Sequence, residues 1–181
     1  RYAPGVMPET SNYEMLVEVT DSFPSAGEQY MYVVHRSTRS DEGDPWALLD
    51  TWSMRSDGHE VIVSEGNVPF VKVKFPVRVG NRWNGNALNT IGEDHYEYRD
   101  VGVPMQFNGL SFGSTMTVEQ ENNDDVIVFT DRRSEVFARD VGLVFKEVIQ
   151  LHYCTDDACL GQQKIDRGTE MEMVIKAYGK Y

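Results

Sequence analysis

Two cysteines, four histidines and a shortage of basic residues define what this 181-residue chain does without. A bilayer-spanning helix needs ~18 or more consecutive apolar residues, and no stretch approaches that length. Lys and Arg number 17 against 29 Asp and Glu, a net charge of −12. Such a surface repels phosphate backbones and anionic headgroups. No local basic patch offsets it, because Arg132 and Arg133 are flanked by Asp131 and Glu135. Nucleic acid is therefore not an expected partner. The common catalytic signatures are missing too: no G-x-S-x-G elbow, no P-loop, no H-E-x-x-H. His35, His59, His95 and His152 are scattered, and no spacing gathers the many carboxylates. Asp41, Glu42 and Asp44 lack the alternating ligand pattern of a calcium loop, so they read as a solvated turn. Glu93, Asp94 and His95 are adjacent in an extended segment, which throws neighbours to opposite sides. The expectation is a non-enzyme with no cofactor and no resident metal.

What the sequence does have is alternation. Hydrophobic residues make up 40% and aromatic residues 11% of the chain, and the apolar ones recur at every second position, the period of a strand. The cleanest case is 69–79, with Val71, Val73, Phe75 and Val77 on one side and Lys72, Lys74 and Arg78 on the other. Pro76 cannot donate to a ladder, so the strand ends there or lies at an edge. At 143–153, Leu143, Phe145, Ile149, Leu151 and Tyr153 share a face that Glu147 interrupts. At 170–177, Met171, Met173, Ile175 and Ala177 share another. Further strands are expected at 13–20, 29–37, 60–65, 93–102, 114–120 and 125–130, the last two joined by a turn at 121–124. Residues 132–138 lead into the 143–153 strand. Segment 45–55 fits a short helix or a strand, and the hairpin with 60–65 is the better reading. Asn84-Gly85 signals a tight turn, and 105–113 reads as loop-rich.

Residues 1–12 read as an arm or linker ahead of a single all-β domain, 13–181. Arg1 reads as the first residue of a mature or trimmed chain. About ten strands, with turn signals every ~8–12 residues and no confident helix, predict an antiparallel, strongly curved sheet or open barrel. Val71, Val73, Phe75, Phe145, Ile149, Leu151, Met171, Met173 and Ile175 would line its interior. Gly80, Gly85, Gly113 and Gly142 are candidates for bulges that aid curvature.

Cys154 and Cys159 stand in a C-x4-C spacing within the polar loop of the C-terminal hairpin. A disulfide closing that loop, a zinc half-site and two free thiols compete. Zinc needs two further ligands and only His152 is near. A disulfide would imply an oxidising compartment. Trp46, Trp52, Phe75, Trp83, Phe145, Met171 and Met173 are most simply core. The sharper alternative makes them ligand-facing, because Met and aromatic surfaces suit loosely defined apolar ligands.

The phrases VKFPVRVGNRWNGNALN, YEYRDVG, TMTVEQ and EVFARDVGLVFKE, in that order, resemble a group of uncharacterised Bacteroidetes-type exported lipoproteins. Those proteins carry an FP…G..W.GN phrase, a Tyr-rich strand and a GVGLV.KE-like strand. The likeness runs over residues 14–178. It implies export to the periplasm or outer membrane, with a lipid anchor upstream of residue 1 as the sole link to a membrane. It supplies no catalytic residues. The strand order also resembles curved-sheet lipoprotein-localisation carriers, although no helix is expected here to plug such a barrel. The expected role is a structural or protein-interaction component of the cell envelope. The alternative is a carrier for an apolar or amphipathic, lipid-like ligand.

Overall fold

The structure, a computed structural model, describes residues 1–25, 30–125 and 127–180. Among them there is no helix; eleven strands form two antiparallel sheets. The all-β expectation holds. The strands form one sheet of five and one of six, neither closed nor strongly curled. The chain divides into two compact units, residues 11–77 with 83–94, and residues 1–10 with 78–82 and 95–181. Each is described by itself.

The first sheet is a meander of β1 (Glu14–Pro24), β2 (Tyr30–Arg39), β3 (Ala47–Ser56), β4 (Glu60–Glu65) and β5 (Val68–Lys74), in that order. The ambiguous 45–55 segment is strand β3. Asp57 sets up the β3–β4 turn, its Oδ1 accepting the amides of His59 and Glu60 at 2.8 and 2.9 Å. These two bonds hold its carboxyl below the ordinary aspartate range. Strand β5 stops at Lys74, two residues before Pro76. Val71 and Val73 are buried as expected, but Phe75 lies beyond the strand and is largely exposed. Lys72 pairs with Glu65 at 2.8 Å, so the basic stripe meets acid on β4. Residues 85–88 form the turn expected after Asn84.

The second sheet runs β11 (Ile165–Val174), β10 (Gly142–Tyr153), β9 (Phe129–Ala138), β8 (Leu110–Asp125), β7 (His95–Phe107) and β6 (Arg82–Asn84). Three expectations change here. Residues 105–113 are not a loop: β7 and β8 run on to meet at Asn108-Gly109. Both turn residues have positive φ, 48° and 80°, as a two-residue hairpin turn requires. Segment 121–124 is not a turn either. It belongs to β8, where Glu121 lies opposite Arg133 and Asn122 opposite Arg132. The strand expected at 125–130 instead takes Asp125 from β8 and Phe129 and Thr130 from β9, and residue 126 lies outside the described residues.

The third correction concerns faces. Phe145 lies opposite Val174, Val148 opposite Met171 and Lys146 opposite Met173. Residues directly opposite share a face. Met171 and Met173 therefore lie on the side away from Phe145, Ile149 and Leu151, and the nine residues expected to line one interior do not do so. A bulge between Leu143 and Phe145 also turns Val144 inward, leaving Leu143 exposed. Gly142, next to it, takes φ +109°. Val144 joins Phe112, Val136 and Ala138 in a buried cluster with Phe107, Phe145 and Ile175 against it. On the other face, Tyr98 and Val118 are fully buried, and the Lys146 ammonium reaches the buried Glu135 carboxylate at 2.8 Å.

Candidate interaction surface

A meander leaves two edges per sheet, each a row of unpaired backbone groups unless something covers it. The outer side of β5 is covered. Val71 donates its amide to the Gly85 carbonyl at 2.9 Å. The Trp83 indole donates to the Val71 carbonyl at 2.8 Å, and Asn89 donates to the Pro69 carbonyl at 2.9 Å. Asn84 Oδ1 holds this loop in shape by accepting the amides of Asn86 and Asp94. Trp83 is thus a buried staple.

The outer side of β11 is covered at Gly168 by the N-terminal arm. Tyr2 and Gly168 exchange both backbone bonds, at 2.8 and 3.1 Å, and the Tyr2 hydroxyl donates to Glu170 at 2.9 Å. That carboxylate raises the tyrosine pKa above its ordinary value. Gly168 has a reason to be glycine: a Cβ there would stand 2.2 Å from the Gln150 carbonyl oxygen. Strand β6, at the far edge of the same sheet, has only three residues.

Strand β1 differs. It is eleven residues long and ends its sheet, and among the described residues no other segment pairs with its outer side. Its pairing with β2 is regular over 14–19 and breaks at a bulge between Val19 and Asp21. Val17 and Val19 share a face with Arg36 and Val34 on β2, and those with Asp50 and Trp52 on β3. Tyr32 and Tyr30 continue the same face. Val17, Val19, Tyr30 and Tyr32 expose 55%, 58%, 53% and 36% of their surface. Glu18 and Asp21 project to the other side, and among the described residues no cation pairs with either.

Two arginines stiffen the neighbouring part of this sheet. The Arg36 guanidinium lies 3.8 Å over the Trp52 ring and bonds Asp50 at 3.2 Å. The Arg39 guanidinium lies 4.3 Å over Trp46, and its Nε bonds Glu14 at 2.7 Å. Guanidinium–indole contacts of this kind, each with an ion pair beside it, restrict both side chains.

The other sequence-derived candidates fall in both compact units. Trp46, Trp52, Phe75 and Trp83 belong to one compact unit and Phe145, Met171 and Met173 to the other. Trp46 is partly exposed and Trp83 buried. Phe145 stacks on Phe107 at 5.2 Å within the core cluster. A depression of about 250 Å³ at β10 and β11 is lined by Glu147, Glu170, Glu172, Ile149 and Met171. Glu147 and Glu172 are directly opposite each other, so this hollow is acidic and ill-suited to an acyl chain.

Cys154 and Cys159 form a disulfide, with Cα atoms 5.9 Å apart. The bond closes the β10–β11 loop, where the Cys154 amide also donates to the Lys164 carbonyl at 2.8 Å. Asp156 brings a carboxylate near both sulfurs. With the sulfurs bonded to each other, Asp156 is the one ligand left in that group. Asp41 and Asp44 form the expected turn, the Asp44 amide donating to the Asp41 carbonyl at 3.0 Å.

No protein family, curated protein or solved structure matches this chain.

Proposed function

We propose that the chain is a non-enzymatic protein-interaction component of the cell envelope, acting through β1 and the apolar face beside it. One observation carries this reading: of the two edges of the five-stranded sheet, β5 is covered and β1 is open beside exposed Val17, Val19, Tyr30 and Tyr32. A long edge is a template for another chain, and on β1 the bulge after Val19 and the acids Glu18 and Asp21 blunt it only past Val19 and on one face. The Cys154–Cys159 disulfide supports an exported location, periplasmic or anchored at the outer membrane. The lipoprotein-like motifs point the same way. The lipid-carrier alternative is weaker, because Trp83 is a buried staple, Phe145 packs on Phe107 and the β10–β11 hollow is acidic.

The test is site-specific photocrosslinking in cells that make the protein. A photoreactive residue at Val19 is expected to give one discrete protein adduct, and the same residue at exposed Leu160 none. Adducts to lipid alone from Val19, or no adduct, would contradict the proposal.

A further inference from the structure

We infer that the β1 edge accepts an extended protein segment that alternates apolar and basic residues, added as a sixth strand to the five-stranded sheet. This rests on the interaction reading above and names the partner's chemistry. Strand addition takes its affinity from main-chain bonds and its specificity from alternate side chains. Both are present on β1. The regular 14–19 stretch supplies six residues of ladder before the bulge.

The alternate side chains of β1 sort by chemistry. Met15, Val17 and Val19 face one way; Glu14, Leu16 and Glu18 face the other, as does Asp21 past the bulge, and Glu14 is already held by Arg39. An incoming strand therefore meets an apolar row on one face and, on the other, Leu16 beside the carboxylates of Glu18 and Asp21, with which no described cation pairs. Its best complement carries Val, Ile or aromatic residues at one parity and Lys or Arg at the other. The same sheet already contains this solution: β5 reads VKVK, and its Lys74 lies opposite Glu60 while Lys72 pairs with Glu65.

A second copy of this chain fits less well. It would bring another net charge of −12. Pairing β1 with itself about a two-fold axis sets Glu14 against Glu18 when centred on Leu16, and Glu18 against itself when centred on Glu18. Like charges directly opposite are unfavourable. Registers centred on Met15, Val17 or Val19 avoid that clash, so it is the added net charge of −12 that favours a basic partner over self-association.

The experiment uses the full chain and two labelled nine-residue peptides, one alternating Val with Lys and one alternating Val with Glu, read by fluorescence anisotropy. The Val–Lys peptide is expected to bind at least ~10-fold more tightly, with affinity falling as salt rises. Converting Glu18→Lys together with Asp21→Lys is expected to invert the preference. N-methylation of alternate peptide amides is expected to abolish binding, since it removes ladder donors. Equal binding of the two peptides, binding that survives N-methylation, or binding of neither would overturn the inference. So would a stable dimer in which β1 amides are protected. A discrete Val19 protein adduct alongside failed peptide binding would leave the interaction reading standing and remove only the basic strand.

Discussion

The two edges of the five-stranded sheet are finished differently. At β5, Trp83, Gly85 and Asn89 satisfy backbone groups at Val71 and Pro69. At β1, on the opposite edge, no described residue does so, and valines stand exposed beside it. The same chain also uses its N-terminal arm to cover β11 at Gly168. A protein able to cover two edges with loop and arm, yet leaving its longest outer strand open, separates edges that hold the fold from an edge kept for contact. The bulge after Val19 and the acids on β1 limit that contact to a short ladder of one charge preference.

Breaking a covered edge should cost the fold most. Trp83→Ala removes a buried ring and the donor to Val71, and a loss of about 3–5 kcal/mol is expected in denaturant unfolding. Trp83→Phe keeps most of the ring and should lose roughly 1 kcal/mol more narrowly, through the carbonyl left without its donor. At the other covered edge, Gly168→Ala places a carbon against the Gln150 carbonyl. It should destabilise by about 1–3 kcal/mol and free the arm, read as faster exchange of the Tyr2 amide.

Reducing the Cys154–Cys159 bond opens only a short loop, since the cysteines are five positions apart. The loss should lie at the low end of ~2–4 kcal/mol. The β10–β11 register, already set by cross-strand pairs from Phe145 to Tyr153, should survive in far-ultraviolet circular dichroism.

The open edge should behave in the opposite way. Val17→Lys alters an exposed side chain, so stability should stay within about 0.5 kcal/mol, while the Val19 crosslink is lost. An equal loss of stability and adduct would mean that β1 is structural.

The smallest effect is in alkali. The Tyr2 hydroxyl donates to Glu170, which raises its pKa above the ordinary 10.0. A pKa raised on folding favours the docked arm below the ordinary value. That contribution is lost as pH rises through the folded-state value, where two anions would face each other. Beyond the base-catalysed rise common to all amides, exchange at Tyr2 and Gly168 should quicken further above pH 10.0, and Tyr2→Phe should remove that excess.

Strand positions were largely legible because alternation is local: 60–65 matches β4 to the residue, and 143–153 lacks only Gly142 of β10. The Asn108-Gly109 turn was written in the sequence too, with Met105-Gln106-Phe107 and Leu110-Ser111-Phe112 alternating on either side, but Pro104 and Gly113 bracket the stretch and make it resemble a loop. The acidic stretch 121–124 looked like a turn on composition alone. Its role as strand depends on Arg132 and Arg133 lying opposite, which is a matter of pairing. Register was not legible: a shift of one residue in the C-terminal hairpin sends Met171 and Met173 to the face away from Phe145. The open edge was hidden for the same reason. Nothing local in EMLVEVTDSFP says that it lies outermost, and only the strand order makes Val17 and Val19 a surface feature.

Hydrogen exchange of the isolated protein, resolved residue by residue, tests the central contrast most directly. The account predicts that alternate amides within 15–19 exchange nearly as fast as unstructured peptide, while Val71 and Gly168 remain protected. Protection of every amide in β1 to the level of Val71 would contradict it.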